Sequence, residues 1–258
     1  MKKILICAVP FSDNLGDGVI AASLAHIAGL KYPDAKVEFL DIAGRHGFDE
    51  QNLRGGGAFG IFQKMPALVC AGAFAQELSP DKKWDVGICV SSLDALVMNS
   101  EYEGTRASGS ADFFSNLADS LRAEGARILY FTNGAAEDNR VLAEISSRPA
   151  AEGTSFLVPK RPDDLVELIS ACSCIAAHRL HANIVAYSLN IPSVGMNWDK
   201  KVESFFRLTG RTQYLFDLSP RADDLKASVL NLLNEKNPDR RRLDELKGEV
   251  IAGTHALI

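Results

Sequence analysis

The chain is short of cysteine, of surplus positive charge and of long hydrophobic runs, and each shortage excludes a class of protein. No apolar run approaches the length needed to span a bilayer. Five cysteines at irregular positions do not make a disulfide framework. Cys172 and Cys174 form a C-x-C pair with no second pair at zinc-finger spacing, so they read as small buried hydrophobes of a strand. That usage fits a reducing, cytoplasmic setting. A net charge of -5 argues against a nucleic-acid partner, because duplex affinity rests on neutralising phosphates. It leaves room for a local cationic pocket that takes a small anion. Walker, G-x-S-x-G and H-E-x-x-H motifs are all missing. The G-x-G-x-x-G match at Gly55–Gly60 follows no strand and reads as a flexible loop.

What is present is an ordinary globular composition, 47% hydrophobic and 24% charged over 258 residues. That length suits one large domain or two modest ones, at roughly 100–200 residues each. Met1-Lys2-Lys3 and the run to Val9 superficially look like a signal peptide. The run is short and Ser12, Asp13 and Asn14 follow at once, so a first β-strand is expected instead. The chain is expected to be soluble, or at most peripheral at a membrane. Its oligomeric state is not legible.

Lys3–Val9 reads as a buried parallel strand, followed by an amphipathic helix over about Asp17–Leu30 and a strand at Val37–Asp41. A helical run is expected over Ile61–Leu78, and the polar, Pro-containing Ser79–Lys83 reads as a linker. Strands are then expected at Val86–Val90, Arg127–Phe131, Ser155–Val158, Cys174–Ala177 and Ser193–Met196, with helices between them. Thr212–Phe216 reads as a last strand, and two helices fill the tail. This alternation predicts an α/β protein with a doubly wound parallel sheet, whose strand C-termini share one ligand-binding edge. The expected division is a shortened N-terminal α/β domain over 1–80 and a Rossmann-like domain over 84–258.

The stretch Ala177-His178-Arg179-Leu180-His181 stands where a strand ends and a helix begins. Free backbone N–H groups and the positive helix end attract anions there. Arg179 adds a planar fork for carboxylate or phosphate, and His181 adds a proton that moves near neutral pH. His178 is expected in the same polar turn. A purely structural role for Arg179 and His181, tying the strand end to a neighbouring element, is equally compatible with residue type alone.

Arg179-Leu180-His181-Ala182, then Ile191-Pro192-Ser193-Val194-Gly195, then Asp199-Lys200-Lys201-Val202, resemble the C-terminal signature of polysaccharide pyruvyl transferases. Asn14-Leu15-Gly16-Asp17-Gly18-Val19-Ile20 is similar to the N-L-G-D-E-A-I of that family, with Gly18 in place of the usual Glu. The resemblance implies two Rossmann-like domains of the glycosyltransferase-B type, the first abbreviated here. It also implies transfer of pyruvate from phosphoenolpyruvate onto two hydroxyls of a glycan or lipid-linked saccharide, as a ketal, in exopolysaccharide or cell-surface glycan biosynthesis. No cofactor is implied beyond phosphoenolpyruvate as donor, and no metal.

Under that resemblance His181 is the candidate general acid and Asp17 the candidate base. Arg179 and the amides near Leu180 would hold the donor, with Asn14 and Lys200 as further substrate contacts. Asp17 at a helix start also suits a plain N-cap, and both roles are compatible. The family carries an Arg just after the first strand of its second domain, where this chain has Val90-Ser91-Ser92-Leu93-Asp94; Arg106 is the candidate replacement. Two other readings stay open: a nucleotide-sugar glycosyltransferase of the same architecture, and a non-catalytic binding subunit of a polysaccharide assembly complex.

Overall fold

The computed structural model describes residues 3–41, 81–100, 102, 109–149, 154–235 and 240–257. The expected Gly-rich loop at 55–60, the helix at 61–78 and Arg106 lie outside the described residues.

All strand pairings among the described residues are parallel. In chain order the strands are β1 (Lys3–Ala8), β2 (Lys36–Asp41), β3 (Trp84–Cys89), β4 (Ile128–Phe131), β5 (Ser155–Leu157), β6 (Cys172–Ala177), β7 (Ser193–Met196) and β8 (Leu215–Phe216). The helices are α1 (Leu15–Lys31), α2 (Leu93–Met98), α3 (Ser110–Arg122), α4 (Ala136–Ser146), α5 (Pro162–Ser170), α6 (Leu180–Ser188), α7 (Lys200–Leu208), α8 (Ala222–Asn234) and α9 (Arg240–Leu257). β1 pairs with β2 in a two-stranded sheet, and the other six strands run in the order β5-β4-β3-β6-β7-β8. That is the 3-2-1-4-5-6 order of a doubly wound sheet, so its direction reverses between β3 and β6. The crevice above their C-terminal ends is where such a sheet holds a ligand.

The alternation of strand side chains explains why helices cover both faces. Val86, Ile88, Tyr130 and Ala176 pack with Phe114, Leu117 and Leu121 of α3 and with Leu225 and Val229 of α8. Cys89, Leu129, Phe131, Ile175 and Ala177 pack on the other side with Leu165 and Ile169 of α5 and Ala182 and Val185 of α6. Each such buried side chain contributes roughly 1.5–3 kcal/mol. Cys172 and Cys174 are free and buried, and burial pushes both thiols up to about 12. They are packing residues, as their apolar context predicts.

The first β-α-β unit docks through its helix. Leu15 and Val19 of α1 enter the core formed with α5 and α6, and Ile27 meets Val250 and Ile251 of α9. Lys31 Nζ donates to the His255 carbonyl, which fastens the tail helix to the end of α1. The expectation of a fully buried first strand is not met. β1 alternates between exposed and half-buried positions, with Leu5 58% exposed. The reason is that among the described residues its sheet has only two strands, with α1 across one face.

His178 also departs from expectation. It is fully buried, turned away from the polar turn, with Phe113 and Phe114 edge-on to its ring. Its Nε2 lies 2.7 Å from the Leu218 carbonyl, which can only accept, so the proton sits on Nε2. Burial lowers its pKa from 6.5 to about 4. The folded value lies below the unfolded one, so the unfolded chain binds more protons below pH 6.5 and stability falls as pH falls, levelling off under about 4. The expected loss is about 3 kcal/mol between pH 7 and 4. Urea denaturation at several pH values checks this: His178→Gln, which keeps a donor for Leu218, should flatten the acid limb. An unchanged acid limb would assign the loss to other groups.

Candidate active site

Three loops meet above the crevice between β3 and β6. The turn after β1 brings Asn14 and Asp17, the turn after β4 brings Asn133 to Asp138, and the turn after β6 brings Arg179 to His181.

α1 begins at Leu15, so Asn14 holds the N-cap position and Asp17 lies in the first turn. Asn14 makes no side-chain cap bond. Its side chain points outward instead, where its Oδ1 accepts from Asn133 Nδ2 and lies 3.3 Å from His181 Nδ1. A carbonyl oxygen only accepts, so Nδ1 of His181 carries the hydrogen and Nε2 is the nitrogen left to gain or lose a proton. That Nε2 faces Asp17 Oδ1 at 3.6 Å. Asp17 is therefore not an N-cap, and its carboxylate addresses the imidazole.

Two glycines make this approach sterically open. A Cβ on Gly16 would lie 2.2 Å from Cβ and Cγ of His181, and one on Gly134 would lie 2.2 Å from the Asp13 carbonyl. Gly134 also has φ +99°, a conformation that side chains disfavour. The turn around it is pinned by Thr132 Oγ1 to Asn139 Oδ1 at 2.6 Å and by Asn139 Nδ2 to the Gly134 carbonyl at 3.2 Å. The Leu15 amide then donates to the Asn133 carbonyl at 3.0 Å, joining the two loops backbone to backbone.

Arg179 caps the start of α6 without a side-chain cap bond, and its guanidinium is already engaged. Nε donates to Asp138 Oδ2 at 2.7 Å, and Nη2 donates to Asp138 Oδ1 at 2.8 Å and Glu137 Oε1 at 3.2 Å. Asp138 is fully buried and also accepts from the Ser92 amide at 2.9 Å. Burial raises its carboxyl from the ordinary value, and the Arg179 fork and the Ser92 amide draw it back. Burial works against the Arg179 charge too, and the bonds and charge of Asp138 more than offset it. The stretch after β3, Val90–Asp94, holds no Arg; the amide of Ser92 within it is tied through Asp138 to Arg179. The bonds to Asp138 and Glu137 use Nε and Nη2 of Arg179, and the first amides of α6 have no partner within the helix.

Electrostatics at His181 follow from this packing. Burial lowers its pKa; the Asp17 carboxylate raises it, and Arg179 and Lys201 lower it further. The imidazole is thus neutral at pH 7. Lys200 is exposed at the first position of α7, behind the Asp199 cap that accepts from the Lys201 amide at 2.7 Å. The cations whose charge reaches His181 are Arg179 and Lys201. Leu180 is half-buried and packs against the cluster that holds Ile184, Val202 and Phe205. Among the described residues no group of three or more His, Cys, Asp or Glu side chains is placed to hold a metal.

The sequence reading puts Asn14 and Asp17 on the first unit, across a cleft from Arg179 and His181 on the second, and the structure brings the four together. It did not single out Asn133, Glu137 or Asp138. Their only signal was an Asn-Gly turn directly after a strand with two acids in the next helical turn, a pattern that ordinary helix starts share.

No curated protein matches the chain. Among solved structures, one reported as the structural basis for EarP-mediated arginine glycosylation of translation elongation factor EF-P is similar with a TM-score of 0.51. Identity is 12%, covering 100% of this chain and 97% of that one, so the likeness concerns the fold. The family model for polysaccharide pyruvyl transferase matches residues 106–200, the span that holds Asn133, Asp138, Arg179 and His181. The resemblance of this chain to the polysaccharide pyruvyl transferase family is thereby borne out.

Proposed function

We propose that this protein transfers pyruvate from phosphoenolpyruvate onto two hydroxyls of a glycan or lipid-linked saccharide, forming a cyclic ketal and releasing phosphate. The observation that carries the reading is the convergence of Asn14 and Asp17, from the first β-α-β unit, on the imidazole of His181 at the end of β6. The two units would correspond to an acceptor side over 1–80 and a donor side over 84–258, in the manner of glycosyltransferases of the B type.

In this reading the donor lies over the start of α6. Its phosphate and carboxylate meet the amides of Leu180 and His181 and the Nη1 group of Arg179. Asp138 and Glu137 act at one remove by fixing that guanidinium. The first sugar hydroxyl adds to C2 of the enolpyruvyl group while C3 gains a proton. The C2–O bond to phosphate then breaks, and the second hydroxyl takes its place. Two hydroxyl protons are lost, one ending on C3 and one on the departing phosphate, so the balance closes without an oxidant or reductant. His181 Nε2 supplies the proton and Asp17 accepts one from the sugar. Amides and Arg179 carry the negative charge.

The neutral imidazole of the free protein has a consequence. A multiply charged anion placed beside it favours the charged form, so donor binding should draw a proton onto Nε2. A thermal-shift comparison tests the assignment of donor. Phosphoenolpyruvate should raise the unfolding temperature with a dose dependence that follows mass action. Protection by a UDP-sugar, with none by phosphoenolpyruvate, would transfer the reading to a nucleotide-sugar glycosyltransferase.

A further inference from the structure

A second cavity of about 500 Å³ opens at the opposite end of α6 and α7 from the candidate active site. α6 starts at Leu180 in the site and reaches the cavity at Tyr187, and α7 starts at Lys200 and reaches it at Leu208. At 1.5 Å per residue the two places are roughly 10–12 Å apart along these helices. The lining is cationic: Arg207, Arg211, Arg241 and Arg242 face one carboxylate, Glu235. This is unusual surface for a chain of net charge -5.

Arg211 is the informative residue. Its Nε and Nη2 are buried and have no hydrogen-bond partner among the described residues. Tyr214 lies against it, with its ring centre 5.0 Å from the guanidinium carbon. By contrast, the half-buried Arg179 is satisfied within the protein by Asp138 and Glu137. Buried guanidinium N–H groups without acceptors are costly, and an anion or a water that accepts from them relieves the cost. The backbone that carries Arg211 is fixed. Gly210, with φ +69°, closes α7, and the Arg211 amide donates to the Phe206 carbonyl at 2.8 Å.

The carbonyls at this helix end do not oppose an anion, because they are already taken. Thr209 Oγ1 donates to Phe205 O, the Gly210 amide to Arg207 O and Arg242 Nη2 to Leu208 O. The outer arginines pair with surface carboxylates. Arg207 bonds Glu203, and Arg241 and Arg242 pair with Glu245. Exposed pairs of this kind exchange readily for a ligand.

We propose that this cavity is a binding site for a phosphomonoester of small-molecule size, with Arg211 as its inner contact and Arg207, Arg241 and Arg242 at its mouth. Several forks converging on one place suit a multiply charged group with several acceptor oxygens. The volume is in the range of pockets that bind a whole small molecule rather than a bare ion. The site is separate from the one proposed to hold phosphoenolpyruvate, and neither proposal depends on the other.

Nitrogen–proton NMR of the arginine Nε–H groups tests it on the full chain, titrated with glucose 1-phosphate, adenosine monophosphate, inorganic phosphate and acetate. We expect a saturable shift of the Arg211 signal with at least one of the two phosphomonoesters, and weaker binding of inorganic phosphate and acetate. Calorimetry with the tighter phosphomonoester should show at least tenfold weaker binding in Arg211→Ala and unchanged binding in His181→Ala. No saturable shift at Arg211, equal affinity in Arg211→Ala, or binding lost only in His181→Ala would overturn the proposal. Arg211 makes no side-chain hydrogen bond at Nε or Nη2, so its replacement should leave the unfolding temperature near that of the wild type.

Discussion

Asp138→Ala should destabilise the protein by about 3–5 kcal/mol, the cost of stranding a buried charge by removing its partner. Asp138 is fully buried, and it alone accepts from both Nε and Nη2 of Arg179 while also taking the Ser92 amide. Its loss leaves a guanidinium that is only 17% exposed facing Glu137 at 3.2 Å as its remaining carboxylate. For a chain of this size the drop in unfolding temperature is on the order of 10 °C. Glu203, which pairs with Arg207 and accepts from the Tyr102 hydroxyl at 3.0 Å, gives the contrast: Glu203→Ala should cost about 1–2 kcal/mol. Replacing both members, as in Asp138→Ala with Arg179→Leu, should cost less than the sum of the two single changes, because no unpaired charge remains. Thermal or urea denaturation of the four variants reads this out. If Asp138→Ala were no worse than Glu203→Ala, the pair would not be holding the loops after β3, β4 and β6 together.

His181→Ala should keep donor binding within a fewfold and lower turnover by about 10²–10⁴, the usual contribution of a positioned acid or base. Arg179→Ala should instead lose donor binding. The difference follows from where the groups stand. Arg179 contributes charge and the orientation of the first α6 turn, both of which act before any bond changes. His181 holds its proton on Nδ1 against Asn14 and offers Nε2 toward Asp17, so its contribution is made only as a proton moves. Phosphate release and calorimetric binding, measured on both variants, separate the two roles. Equal turnover in wild type and His181→Ala would remove His181 from the chemistry, and unaltered donor affinity in Arg179→Ala would remove Arg179 from the donor site.

Much of this was legible in the chain because local signals and long-range packing agree. The apolar runs at Val86–Val90, Ile128–Phe131 and Cys174–Ala177 are short and continuous, as strands covered on both faces must be. The polar turn after Ala177 falls at a strand end, and parallel connectivity then puts it on the same edge as every other strand end. Asn14 and Asp17 follow a strand in the same way, but among the described residues β1 lies in its own two-stranded sheet, so the rule alone does not bring them to that edge. What the rule does not give is strand order. Asp138 reaches Arg179 because β4 and β6 both flank β3, a fact of pairing rather than of pattern. Until that order is known, an acid in the first turn of a helix looks like a complement to the helix dipole.

His178 was misplaced for a related reason. It sits one residue beyond β6, where strand alternation and the helix start make different demands. Alternation won, turning it under α3 while Arg179 turned outward. The exposed faces of β1 and β2 likewise depend on how many neighbours their sheet has, which an apolar pattern does not record.

An anionic donor settling beside the neutral imidazole of His181 should draw a proton from solvent onto Nε2. Calorimetric titration of phosphoenolpyruvate at pH 7.5, in two buffers of different ionisation enthalpy, measures proton uptake directly. The account predicts saturable binding with net uptake of a fraction of a proton by the wild type, and binding without that uptake by His181→Ala. Binding with no net uptake, or with the same uptake in both proteins, would contradict it.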